Sequence, residues 1–191
     1  MAKSFSGLND SKQVYIFLAK AAIMYFLYQG FAWLYLQPNS PINQVVTYNI
    51  AAISAQLLRW FGLNATAATI QGQYNVIYLN NVLSVSIEDG CNGLVLMALF
   101  AGFVIAYPGP LLKKLYFIPA GLLLVYFINV IRVVMLVINR DISISTFDFN
   151  HKYTYTTTLY VNIFGLWMLW ANVFARITEV ETPEADGTAK A

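Results

Sequence analysis

The chain holds one cysteine, Cys91, and one histidine, His151. A thiolate attacks carbonyl carbon, and a neutral imidazole within reach takes the thiol proton and later returns it to a leaving amine. Arg132 falls between the two in sequence, inside an apolar run. An arginine there can hold a fixed positive charge against the oxyanion of a tetrahedral intermediate. Cys91 stands in Glu88-Asp89-Gly90-Cys91-Asn92-Gly93, a polar turn whose glycines let backbone approach a bound chain closely. It lies where an external segment turns into the first turn of a helix, near free backbone N–H groups, a setting that suits a nucleophile. The bland alternative is a small buried hydrophobe that happens to be cysteine.

Arg132 costs at least about 2.5 to 3.5 kcal/mol at the centre of a membrane helix, so such a residue ordinarily faces a partner or a wet cavity. It precedes Ile138, the expected external end of its helix, by about 9 Å at about 1.5 Å per residue, a depth from which its head can reach Cys91. Asn129, at i−3, shares its face and can hydrogen-bond the guanidinium or a substrate. A structural ion pair with Glu88 or Asp89, or plain snorkelling, is the competing reading of Arg132. His151 is read in an external loop, Phe147 to Tyr153, where a lone histidine is ordinarily solvated; it nevertheless shares a membrane side with Cys91. The three side chains are expected to come from three helix ends. Other catalytic classes fail on inventory: the chain has no phosphate-binding G-x-x-x-x-G-K-[ST] loop, no H-E-x-x-H, no G-x-S-x-G, and no carboxylate pair within its spans.

The elements that must position these groups follow from composition. Of 191 residues, 59% are apolar and 10% charged, against about 45 to 50% and about 25% in soluble domains. Long stretches must therefore face lipid. A net charge of +2 with no basic cluster beyond Lys113-Lys114 excludes nucleic acid as a partner. One cysteine and one histidine exclude a disulfide framework and a Cys/His zinc site, and no metal or cofactor is expected. The fold class is all-α integral membrane, one polytopic domain of about four to five transmembrane helices with an interfacial helix and a short external β-hairpin. Residues 14–36 form the first span, 38–90 an external segment, and 91–175 the core, with one span beginning after Gly93 and running to Tyr107 and others from about Leu115 to Ile138 and Thr156 to Ala175.

Positive residues set the direction. Lys3, Lys12, Lys20, Lys113, Lys114, Arg176 and Lys190 fall on one side, against Arg59, Arg140 and Lys152 on the other. Both termini are expected in the cytoplasm and the candidate site on the external, periplasmic face of the cytoplasmic (inner) membrane. Val45 to Leu63 carries Asn49, Gln56 and Arg59, so it is read as a helix on the outer leaflet rather than a fifth span. Tyr74–Leu79 and Val82–Ile87 flank Asn80-Asn81, a pair that tolerates left-handed backbone, and read as a hairpin. Residues 177–191 read as a disordered cytoplasmic tail.

With those residues in view, the chain resembles the exosortase and archaeosortase family of membrane cysteine transpeptidases, in a compact variant. The resemblance is carried by Glu88 to Leu94 around Cys91, by Asn129-Val130-Ile131-Arg132, and by His151 before the last span. It covers about Val45 to Ala175. It implies secreted protein substrates with a C-terminal sorting signal containing a transmembrane helix, cut near the outer membrane surface through a Cys91 thioester. A lipid or glycan precursor would act as acceptor, and membrane lipid surrounds the enzyme. It implies His151 as proton carrier and Arg132 as oxyanion stabiliser; alternatively His151 orients substrate and Arg132 acts on the thiol itself. Glu88, Asn92, Gly93 and Asn129 are the supporting or substrate-contacting residues. The rival function is a non-enzymatic membrane scaffold in which Arg132 is a structural ion-pair residue.

Overall fold

A computed structural model describes residues 11–36, 40–70 and 74–175. Helix α1 is Ser11–Tyr35 and α2 is Pro41–Trp60; strands β1 (Ala65–Ile70), β2 (Tyr74–Leu79) and β3 (Val82–Ile87) follow. After a short 3₁₀ turn, Asp89–Cys91, come α3 (Leu94–Ala106), α4 (Leu111–Ile142) and α5 (Ile144–Phe149). A π turn, Asn150–Thr154, leads into α6 (Tyr155–Leu169), which ends in a second π turn, Trp170–Phe174.

Among the described residues, three helical stretches are long and apolar enough to cross a membrane: Val14–Tyr35, Leu111–Ile142 and Tyr155–Phe174. These coincide with three of the expected spans. The remaining one, α3, is a 13-residue apolar helix, about 20 Å long at about 1.5 Å per residue. Pro108 to Pro110 stop it, and Lys114 Nζ donates to the carbonyls of Ile105 and Tyr107 at 2.8 and 2.7 Å, satisfying the groups a helix end leaves open. The residues 37–39 after α1 and the tail at 177–191 lie outside the described residues.

The helix expected over Val45 to Leu63 takes a different form. It starts at Pro41 rather than Val45, because Ser40 accepts a hydrogen bond from the Asn43 amide and proline suits the first helical position. It also stops short of Leu63, at Trp60. One face, including Thr47, Ile50, Ala51, Ser54, Ala55 and Leu58, is buried against the sheet and α4. Protein rather than lipid covers that face, which is why it carries small and polar side chains.

The expected hairpin is there, with Asn80 at φ 52° and Asn81 at φ 63° turning Leu79 into Val82. It belongs, however, to a three-stranded antiparallel sheet ordered β1-β2-β3. The added strand, Ala-Thr-Ala-Ala-Thr-Ile, escapes sequence reading because alanine is poor in strands. Small residues are nonetheless what the site requires, since Ala65 is fully buried in the cluster that also holds Ala51 and Ala55 of α2. Between β2 and β3 the register shifts: Ile77 opposes Val85 while Tyr78 opposes Leu83, leaving Ser84 as the extra residue of a β-bulge.

Helix α4 joins two buried clusters. At the sheet end, Val130, Val133, Val134 and Val137 pack with α2 and the strands. At the opposite end, Phe117 and Val125 pack with Phe100, Ile163 and Trp170. There Gly121 has no room for a side chain, since a Cβ would overlap the Phe100 ring.

Candidate active site

The chain leaves β3 at Ile87 and closes a 3₁₀ turn in which the Cys91 amide donates to the Glu88 carbonyl at 2.8 Å. Cys91 is thus outside α3, not in its first turn, because Gly93 interposes a left-handed residue at φ 79° before the helix begins. Asn92, 1% exposed, secures the turn. Its side-chain oxygen accepts from the Leu94 amide at 3.0 Å, and its Nδ2 donates to Asn43 Oδ1 at 3.1 Å and Thr47 Oγ1 at 3.4 Å. Asn92 therefore anchors the cysteine turn to α2 and faces away from the cavity that Cys91 lines.

Asn129 is fully buried on α4. Its Nδ2 donates to the Cys91 carbonyl at 3.1 Å, and its Oδ1 lies 3.5 Å from Arg132 Nη1. A Cβ at Gly93 would stand 3.2 Å from Asn129 Nδ2, so the position is fixed twice, by its positive φ and by this approach. Arg132 Nη2 is 3.9 Å from Cys91 Sγ, and His151 Nε2 is 4.0 Å from the same sulfur. Arg132 Nε is buried and donates to no protein group among the described residues.

The histidine does not sit in a loop. It lies in the π turn that links α5 to α6, where one added residue per turn changes the direction in which side chains emerge. The His151 ring stacks on Phe147, one turn earlier, at 5.8 Å between centroids and 9° between planes. The guanidinium of Arg140 lies 5.4 Å from the centre of the Phe147 ring, a cation–π arrangement. Nor does Arg132 come from a helix end. Helix α4 runs on to Ile142, placing Arg132 about 15 Å from that terminus at about 1.5 Å per residue.

These groups line a cavity of about 240 Å³. One wall is β3 at Ser84 to Ile87, another is α4 at Arg132, Leu136 and Arg140, and the third is Phe147 with His151; Cys91 also lines it. Arg140, Phe147 and the β3 serines are site residues that sequence reading missed. Their spacing carries a signal, because Arg132, Leu136 and Arg140 recur at i, i+4 and i+8, and Phe147 and His151 at i and i+4. Glu88 is exposed and contributes its backbone carbonyl to the turn, while Arg132 turns to Asn129 and the thiol. The Arg132–Glu88 ion pair of the competing reading is therefore not formed; the Asp89 side chain lies outside those described.

No curated protein and no solved structure matches the chain. The protein-family model described as transmembrane exosortase (Exosortase_EpsH) matches residues 8–169, which takes in Cys91, Arg132 and His151. With the larger part of its length matched, the chain belongs to the transmembrane exosortase family.

Proposed function

We propose that this membrane protein is a cysteine transpeptidase that cuts the C-terminal sorting signal of secreted proteins and passes the new C-terminus to an acceptor. The observation that supports this reading is the approach of Arg132 Nη2 and His151 Nε2 to one sulfur, at 3.9 and 4.0 Å, within one cavity. The Cys91 sulfur attacks the scissile carbonyl while its proton passes to His151 Nε2. The carbonyl electrons move onto oxygen, and Arg132, whose Nη2 lies 3.9 Å from the sulfur, sets its positive charge beside the resulting oxyanion. Collapse breaks the C–N bond, the departing amine takes the proton from His151, and a thioester remains on Cys91. A lipid or glycan nucleophile, deprotonated by the same imidazole, then attacks the thioester and frees the thiol. The site operates on the external face of the cytoplasmic membrane, with both termini in the cytoplasm.

Co-expression with a secreted protein bearing a C-terminal transmembrane sorting signal tests this reading. Mass spectrometry of the product should show a new C-terminus with the wild-type enzyme, carrying the mass of any acceptor. Cys91→Ala and Cys91→Ser should each lower processing by at least about 10⁴-fold at unchanged enzyme abundance. Normal processing by either variant would sink the proposal.

A further inference from the structure

Strand β3 is an edge of its sheet, paired only with β2. Among the described residues, no backbone hydrogen bond joins its outer side to another element. Exposed strand edges are ordinarily shortened, charged or covered, because their unpaired N–H and C=O groups recruit other chains. Apart from the β-bulge at Ser84, this edge carries no such protection. Val82 and Leu83 are exposed, Ser84 and Ser86 are small and uncharged, and the run contains no lysine or proline. The sheet's other edge is treated differently: Arg59 Nη1 donates to the Ala65 carbonyl of β1 at 2.8 Å, and α2 packs along that strand.

What makes the β3 edge more than an unfinished sheet is where it leads. Ser84 to Ile87 form one wall of the cavity that Cys91 also lines, and the bulge at Ser84 bends the strand within that wall. We propose that the substrate segment immediately upstream of the scissile bond docks as a fourth strand along the outer edge of β3. This rests on the reading of Cys91 as the nucleophile. The direction follows from connectivity. Strand β3 runs toward Cys91, and an upstream segment lying on it must also run toward the bond to be cut, so the pairing is parallel. In such a pair, alternate substrate residues turn both N–H and C=O to the strand and the others turn away. Main-chain bonds supply the affinity, and selectivity falls to alternate side chains facing Arg140, Phe147 and Leu136 across the cavity.

The probe is N-acetyl-Val-Ala-Val-Ala chloromethyl ketone, with 2-chloroacetamide as a control lacking a strand. With either reagent the thiol sulfur displaces chloride from carbon, forming a C–S bond, and the thiol proton is released. Rates at Cys91 of the full-length membrane-embedded protein are divided by the reagent's rate with free glutathione. The peptide should gain at least about tenfold over the control, on the scale of one or two net backbone hydrogen bonds. Single N-methylations should cut that gain about tenfold at one alternating set of amides and less than about twofold at the other. The enzyme is unaltered throughout, so folding of a variant is not at issue. Equal effects at successive amides, or no gain over the control, would overturn strand addition while leaving the nucleophile in place. A Cys91 unreactive to both reagents in the folded protein would overturn the nucleophile reading and strand docking together.

Discussion

Ile50, Leu58, Ile77 and four valines of α4 fill the cluster beneath the sheet, interleaved with buried Thr47, Ser54, Asn92 and Asn129. At the other end of α4 the filling is aromatic: Phe100, Phe117 and Trp170 pack with ring centroids 5.1 to 5.9 Å apart. Aliphatic packing with hydrogen-bonded polar side chains fixes directions, since each amide accepts and donates along set lines. Ring packing contributes area and a tight fit without fixing any reactive group. The contrast teaches a division of labour along one helix, in which the aromatic end holds the spans together and the sheet end aims three side chains at one point.

That division is open to attack from both ends. Trp170→Ala, at a side chain with no exposure, should cost about 3 to 5 kcal/mol, read as a lower melting temperature with the cleavage rate per folded molecule preserved. A fall in that rate would mean the two ends are coupled. Arg132→Lys should do the reverse, lowering the cleavage rate by about 10² to 10³-fold while the melting temperature holds. An ammonium lacks the planar fork that reaches Asn129 and the thiol together. Asn92→Ala tests the middle ground. It removes the tie between the cysteine turn and α2 and should cost about 1 to 3 kcal/mol, with the rate falling alongside stability; a change in stability alone would make Asn92 a packing residue. The smallest effect is expected of Glu88→Gln, under about twofold in rate, because its carboxylate is exposed and outside the cavity.

The sequence announced Cys91, Arg132 and His151, which the fold brings to one cavity, and three of the long helices, since a lone cysteine, a lone histidine and an arginine in an apolar run are exceptions to a strong pattern. It concealed what depends on other elements. Strand β1 is written in alanines because α2 lies against it, a tertiary demand that overrides strand propensity. The π turn at His151 left no mark, because an added residue in a helical turn has no compositional signature. Phe147 and Arg140 read as ordinary loop and surface residues until that turn brought the imidazole onto the ring. Glu88 illustrates the opposite case: its charge near Cys91 made it a rival partner for Arg132, whereas the 3₁₀ turn leaves its side chain exposed.

Helix α3 has a consequence for where on a substrate the cut falls. Its 13 residues are held between the cysteine turn and the Lys114 cap, and their length of about 20 Å is about 10 Å less than a hydrocarbon core. If α3 crosses the bilayer, its two ends cannot both reach the headgroups of an undisturbed one; the lipid thins around it, or one end, that of the thiol or that of the Lys114 cap, rests below the surface. Under the proposed function, a substrate held by its own membrane helix would then be measured rather than only read. The bond presented to Cys91 would be selected by its height above that helix, so adding a turn to the substrate's anchor should move the cut as surely as altering the residues beside it.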